Sequence, residues 1–536
     1  MSLSTAQHAV TELIDSFAGA PPERLDSDFR RLVDAVWRDG AATDQAAVAA
    51  PVLAAALAGR RAEPLDEAHL GRLAVLLGLL AETEDPAADG PIAAAVGECL
   101  DEYLDLWRRS AAGRPLSLAI QYLVAHLPAH REKILAVAGG LGLDEDDLSR
   151  LDRALQTLDP DHPVLGRVFP SPSVWELDDS ERQFDQGWIS ALTPAQVEEN
   201  WRKDTRMVLG HAGAKAYWAV RNGAPQPWVS DSIPPRDSRA AGSAGDGFAR
   251  HAGAFRCPGC GGRLEFGGSS AGCAGCGLTY PISSGILNLT AGVRGDAARD
   301  EAGLVADFQF KLAEMPSMGF FYEAYARPNF LRISGANWGG AVTPADEDAY
   351  IAEHVRPVDG PVLDLAAGAG RWTEVLADAV GADRVIALDL NPPMLSVLRA
   401  RLPEIPAVLV SARTLPFADA SLGAVLCWNA LQAFPDDAGA AIAEVGRCLR
   451  PGGTFTLLTF RRSDDPIYRY FVMSHHFPQN SDGLRLLDLD ELKGWLADAG
   501  LTIRHEWGPG TFVFITAERP AERPAERPAE RPGDAP

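Results

Sequence analysis

Two groups of residues in this 536-residue chain have the types and spacing to do chemistry. The first is Cys257-Pro258-Gly259-Cys260 followed, twelve residues on, by Cys273-Ala274-Gly275-Cys276. Each CxxC knuckle turns back on itself, so the four thiolates converge on one tetrahedral centre that suits Zn2+ and leaves no open position for catalysis. Iron, or two disulfides, are the other occupants the spacing admits. A segment this short buries too little apolar surface to fold alone, and metal binding worth about 10–16 kcal/mol in zinc-finger peptides would supply the difference.

The second group lies in Val362-Leu363-Asp364-Leu365-Ala366-Ala367-Gly368-Ala369-Gly370 and in Val385-Ile386-Ala387-Leu388-Asp389. An apolar run breaks into a small-residue turn, a helix follows over Arg371–Val380, and a second apolar run ends on a carboxylate. This pattern predicts a parallel strand, turn, helix and strand, with the ligand held at the carboxyl edge of the sheet. Small residues let a ligand touch backbone there, and Asp389 is placed to accept hydrogen bonds from ribose hydroxyls. A dinucleotide would want a third small residue three positions after Gly370, where Thr373 stands, so a nucleoside without phosphates fits better.

The ordered set Asp364 to Gly370, Asp389-Leu390-Asn391, Leu415-Pro416-Phe417 and Leu449-Arg450-Pro451-Gly452-Gly453 resembles class I S-adenosylmethionine-dependent methyltransferases over residues 345–517. The resemblance implies a Rossmann-like, doubly wound α/β domain. It also implies a cofactor site built from Asp364, Ala366, Gly368, Gly370, Asp389, Leu390, Ser411, Ala412, Arg413 and Asn429, with Tyr322 and Arg327 of a pre-core helix folding over it. Ser411 stands where many relatives carry an aspartate, and Leu431-Gln432-Ala433 where they often carry a leucine and two histidines. The ribbon, with its flank Tyr280 to Leu289, resembles one found ahead of ribosomal-RNA guanine methyltransferases and several small-molecule methyltransferases. Methyl transfer needs a base only when the nucleophile holds a proton of high pKa. Candidates lie after the fourth and fifth strands: Trp428, Asn429 and Gln432, then Tyr468, Tyr470, His475 and His476, the last four in an insertion over 461–485 positioned to act as a lid.

The surrounding elements are those of a multidomain protein: an α-helical N-terminal domain (1–224), a linker (225–250), the zinc ribbon (251–292), a pre-core helical segment (293–344), the methyltransferase domain (345–517) and a tail repeating Ala-Glu-Arg-Pro (518–536). Proline at every fourth residue keeps that tail from forming a helix. The 73 acidic side chains against 49 basic ones give a formal charge of −24, which argues against a nucleic-acid partner. No apolar run reaches membrane-spanning length, no signal pattern opens the chain, and the odd cysteine count of seven does not suit a secreted disulfide framework, so the expectation is a cytoplasmic protein. These features point to methylation of a small molecule or peptide, as in natural-product tailoring. The alternatives are an RNA methyltransferase and a regulator that binds cofactor without turnover.

Overall fold

The computed structural model describes residues 3–84, 90–163, 178–227, 244–290, 326–474, 484 and 486–521. The chain divides into two compact units: a helical one from Met1–Ser232, Ala298–Val342 and Arg462–Arg485, and a sheet-based one from Ile233–Ala297, Thr343–Arg461 and Leu486–Pro536. Residues His475, His476 and Tyr322, singled out in the sequence, lie outside the described residues, as does the tail from 522.

In the helical unit, proline opens several helices at a position whose N–H would be unpaired anyway: Pro22–Val36, Pro91–Gly97, Pro115–Val124 and Pro194–Asn222. Side chains cap others. Asp66 accepts from the His69 amide ahead of Glu67–Ala81, and Thr193 and Gln196 form a reciprocal capping box. The 29-residue helix Pro194–Asn222 is the spine. Against it packs Pro466–Met473, a helix supplied by the insertion. Gly210 and Gly213 allow that approach, because a Cβ at either would stand 2.4 Å from Ser474 or 2.3 Å from the Phe471 ring.

The inserted helix is anchored by polar groups within the same unit. Asp465 caps it by accepting from the Ile467 amide (3.0 Å). The same carboxylate receives the Tyr217 hydroxyl (2.7 Å), the Arg221 guanidinium (2.5 Å) and Arg30 (3.1 Å). Tyr470 donates to Glu82 (2.7 Å), which also takes the Tyr122 hydroxyl (2.5 Å) and faces His126 Nε2 (3.2 Å). The described part of the segment expected to be a lid, 462–474, therefore packs into the helical unit.

The sheet-based unit contains β1 (Leu264–Phe266), β2 (Ser270–Cys273), β3 (Thr279–Ser283), β4 (Ile286–Asn288), β5 (Val362–Leu365), β6 (Val385–Asp389), β7 (Ala407–Leu409), β8 (Leu422–Trp428), β9 (Leu449–Phe460), β10 (Thr502–Trp507) and β11 (Phe512–Glu518). They form one sheet in the order β10-β11-β9-β8-β5-β6-β7-β4-β3-β2-β1. From β9 to β4 the neighbours run parallel, and β11 inserts antiparallel beside β9. Strands β5 and β8 are buried at every position, as expected for strands covered on both faces. The connection reverses direction at β5, which makes its carboxyl end the topological switch point.

The ribbon belongs to this sheet. Its last strand pairs parallel with β7, Ile286 opposite Ala407 and Asn288 opposite Leu409. Arg256 donates its amide to the Pro416 carbonyl, Ala418 returns an amide to Ala254, and the Arg399 guanidinium bonds the Ser284 carbonyl. Phe255, Leu264 and Tyr280 share one apolar core with Leu363, Ile386 and Phe417. The described strands of the ribbon and of the methyltransferase domain, separate domains (251–292 and 345–517) in the sequence reading, thus share a sheet and a core. The edge of β7 offers the ribbon a hydrogen-bond ladder and apolar cover that it cannot make for itself. The end of the expected linker also changes: Ala244–Arg250 is helical, with Phe248 buried and stacked on Phe266 at 5.6 Å.

Candidate cofactor site and metal centre

The turn after β5 turns sharply because three of its residues occupy the left-handed region. Ala366 has φ +60°, Gly368 +54° and Gly370 +89°. For alanine that conformation is strained by roughly 1–2 kcal/mol, a strain found where structure serves a site. A Cβ built on Gly368 meets nothing within 4 Å, so the turn presents bare backbone to open space. The Gly370 position is tight instead, its Cβ direction meeting Leu398 at 2.9 Å, and Gly370 itself leads into helix Arg371–Val380.

Asp389 ends β6 beside this turn. One carboxylate oxygen accepts the Gly368 amide and the other the Asn391 amide, both at 2.8 Å, which fixes the turn to the neighbouring strand. Among the described residues no cationic side chain pairs with Asp389, and burial raises its carboxyl above the ordinary range. Asp364, inside β5, is 2% exposed and is bonded by the Thr373 hydroxyl at 2.5 Å. Burial, reinforced by the nearby Asp389 charge, pushes it up to about 7. Thr373, the residue that argues against a pyrophosphate, thus ties the helix back to the strand.

At the end of β8 the pairing of Leu426 with Asp364 brings Trp428 and Asn429 level with the first residues of the turn. Trp428 donates its ring N–H to Glu347 of helix Pro344–His354 at 2.9 Å, and its ring lies 6.2 Å from that of Trp372. Asn429 continues toward β9 through its amide to the Leu458 carbonyl (2.8 Å) although its φ is +55°. Its side chain accepts from Gln432 (2.9 Å), and Gln432 accepts from the Thr459 hydroxyl (2.9 Å). The buried Asn429 Nδ2 has no acceptor among the described residues, a situation that costs about 1–3 kcal/mol. Gln432 and Thr459 are positions the sequence reading did not enlist together; nothing in a linear pattern joins residues 27 apart, one in the turn after β8 and the other in β9.

On the β7 side, Ser411 Oγ accepts from the Arg413 amide (3.3 Å), Ala412 packs on the core, and Arg413 is exposed and ion-paired with Asp437 (3.2 Å). Leu390 is exposed. The residues brought together around the turn are therefore Asp364, Ala366, Gly368, Gly370, Asp389, Leu390 and Asn429, with Ser411, Ala412 and Arg413 after the adjacent strand. An open-backbone turn, a carboxylate without a cation and an orphaned buried amide suit an adenosine bearing a polar tail.

Tyr468 is a correction. Read as a candidate for proton transfer, it is a buried residue of the helical unit whose hydroxyl donates to the Ile333 carbonyl (2.8 Å) and accepts from the Trp338 ring N–H (3.0 Å). Burial drives its pKa far above the ordinary value, so it holds its proton. Arg327 opens helix Arg327–Ser334, also in the helical unit, and is 1% exposed.

The four ribbon sulfurs lie within 4.8 Å of one another, Cys260 and Cys273 at 3.4 Å and Cys257 and Cys276 at 3.7 Å. These separations are too long for disulfides and match the roughly 3.8 Å expected for sulfurs about 2.3 Å from a tetrahedral zinc ion. The Tyr280 hydroxyl stands 3.0 Å from Cys257 Sγ, and the Gly275 amide points at Cys273 Sγ from 3.3 Å. Such donors stabilise thiolates in a metal's outer shell.

The sequence is similar to those of known methyltransferases. A family profile described as a methyltransferase domain matches residues 362–453. The chain is 27% identical over 265 residues to an uncharacterised chloroplastic methyltransferase of Arabidopsis thaliana, covering 46% of this chain and 70% of that one. It is 32% identical over 170 residues to the ubiquinone/menaquinone biosynthesis C-methyltransferase of Burkholderia mallei, covering 28% of this chain and 69% of the relative. Other relatives are matched over less of their length, 61% and 41% in two cases. Among solved structures, an S-adenosylmethionine-dependent methyltransferase from Mesorhizobium loti aligns with a TM-score of 0.27 and 18% identity, over 32% of this chain and 96% of that one. No helix among the described residues is long and apolar enough to cross a membrane.

Proposed function

The chain belongs to the class I S-adenosylmethionine-dependent methyltransferases, and from that premise we propose that it methylates a small molecule, with the sheet-based unit as the catalytic body. The observation that carries the proposal is Asp389: a carboxylate at the carboxyl end of β6 with no cationic partner among the described residues, locked against a turn whose backbone is open at Gly368. Such a carboxylate takes the two ribose hydroxyls, while Ala366, Gly368 and Gly370 let the rest of the adenosine lie against backbone. Ser411 and Ala412, after the next strand, flank the adenine, and Asp364 holds the turn through Thr373.

When bound, S-adenosylmethionine supplies an electrophilic methyl group on its sulfonium. The chain's part is alignment and exclusion of water, since effective molarities on the order of 10⁵–10⁸ M are available from orientation alone. Trp372 and Trp428 give the β8 side of the site an apolar aromatic wall. Relatives named for quinone methylation support a small-molecule acceptor, and the charge of −24 disfavours a nucleic-acid one. Cys257, Cys260, Cys273 and Cys276 would hold a structural Zn2+, whose work is to set the ribbon against β7. That arrangement supports a building role for the ribbon over RNA contact.

Titration calorimetry with S-adenosylhomocysteine tests the proposal: the expectation is saturable one-to-one binding, and well-folded protein that takes up none of it would refute the reading. Incubation with methyl-labelled S-adenosylmethionine and separate small-molecule, peptide and RNA extracts should place label in the small-molecule fraction. Elemental analysis should find one zinc per chain.

A further inference from the structure

Resting on the methyltransferase reading, we infer that Thr459, Gln432 and Asn429 form a one-way hydrogen-bond relay that aims the Asn429 N–H at an anionic oxygen of the bound reactants. The direction follows from counting donors. The buried Thr459 hydroxyl has one proton, and it is directed to Gln432 Oε1 at 2.9 Å. Gln432, 1% exposed, must then turn its amide nitrogen toward Asn429 Oδ1, also at 2.9 Å. Asn429, a residue 8% exposed, is left with its oxygen used and its buried nitrogen turned away from Gln432, with no acceptor among the described residues. Reversing both amides would orphan the threonine proton and the asparagine oxygen together, two buried groups in place of one.

The place of the donor says what it meets. Across the sheet the order β6-β5-β8 puts Asp389, the open turn and Asn429 on three successive strands, each about 4.8 Å from the next. A nucleoside gripped at Asp389 with its base toward β7 extends its 5′ side over the turn to β8. The groups there that bear oxygen anions are the α-carboxylate of the cofactor's amino-acid tail and an ionised oxygen on the methyl acceptor. A neutral amide donor stabilises either without taking a proton, and it does so pre-oriented, so none of its alignment is lost on binding. Gln432 and Thr459 act through Asn429 as positioning residues. Asn429 also tolerates its φ of +55° better than other side chains do, and that is the competing explanation for its presence.

Three variants separate the two. Asn429→Gly relieves the backbone but removes the donor, Asn429→Asp keeps the shape but opposes an anion, and Thr459→Val removes the proton that sets the relay's direction. Each is first checked for an unchanged thermal midpoint, then titrated with S-adenosylhomocysteine and with 5′-methylthioadenosine, which lacks the amino-acid tail, and assayed for label transfer from S-adenosylmethionine to the small-molecule extract. Loss of about tenfold in S-adenosylhomocysteine affinity for Asn429→Gly, more for Asn429→Asp and less for Thr459→Val, with methylthioadenosine unaffected, assigns the oxygen to the cofactor. The same ranking in label transfer alone, with both affinities unchanged, assigns it to the acceptor. If Asn429→Gly matches the wild type in all three measurements, or if methylthioadenosine affinity falls in parallel with that of S-adenosylhomocysteine, the relay has no such role and the inference is wrong. Failure of the wild type to bind S-adenosylhomocysteine would instead remove the methyltransferase reading beneath it.

Discussion

The two units hold certain carboxylates in different ways. In the helical unit three carboxylates are met by other side chains: Asp465 by Arg30, Arg221 and Tyr217, Glu82 by two tyrosines and His126, and Asp147 by Lys215 at 2.6 Å. In the sheet-based unit, among the described residues, backbone amides hold Asp389 and Thr373 holds Asp364, while the ribbon gathers four thiols around one point. The first pattern satisfies charge for the sake of packing. The second keeps charge and lone pairs where an adenosine and a metal ion can use them, and so ties the unit's stability to what it binds.

The comparison is broken most severely by a chelator. Zinc removal should abolish hydrogen-exchange protection in 255–288 and lower it in 407–410, because β4 hangs on both; the helices of the first unit should keep theirs. Equal loss in both units would mean the ribbon carries no separate load. Next in size is Asp389→Asn, for which calorimetry should read S-adenosylhomocysteine affinity weaker by about 100-fold, with the thermal midpoint lowered as well, because the asparagine nitrogen cannot accept the second of the two backbone amides. Asp465→Ala should act on stability and leave that affinity unchanged. It strands two guanidinium groups and a tyrosine and uncaps a helix, and urea melts should show about 2–3 kcal/mol lost.

The smallest effect concerns pH. Burial lifts the Asp364 carboxyl from 3.8 to about 7, so the folded protein prefers it protonated. Its contribution to stability is complete below about pH 4 and drains away as pH rises through 7. The thermal midpoint of Asp364→Asn should therefore gain on the wild type between pH 5 and 8, by a few degrees at most. A gap that stays constant or closes over that range would contradict the raised carboxyl.

Much of the sheet-based unit was legible because its signals are local. The β5 run, the turn and Asp389 fall within 28 residues, and small residues where backbone must bend leave a mark in any sequence. The cysteine spacing is equally local. What could not be read was pairing over distance. The ladder between Ile286–Asn288 and Ala407–Leu409 joins segments about 120 residues apart, and two short apolar runs give no hint of one another. The same holds for Tyr468. An aromatic in an insertion after β9 looks like a lid residue, yet Ile467, Tyr468, Phe471 and Val472 form an apolar face, and Gly210 and Gly213 on a distant helix were shaped to receive it. The relay from Thr459 to Asn429 was hidden for that reason too, since only the folded register of β8 against β9 brings its members into line.

The ribbon's union with β7 also bears on solubility. One margin of the sheet, β10, is guarded by Arg504, His505 and Glu506; the other ends in β1, only three residues long. Both are poor templates for a foreign strand. Without its metal the ribbon would let go of β7 and bare an apolar parallel ladder, Ala407-Val408-Leu409, to the next molecule. Oxidants or chelators should then show themselves first as turbidity, before any catalytic measurement registers them.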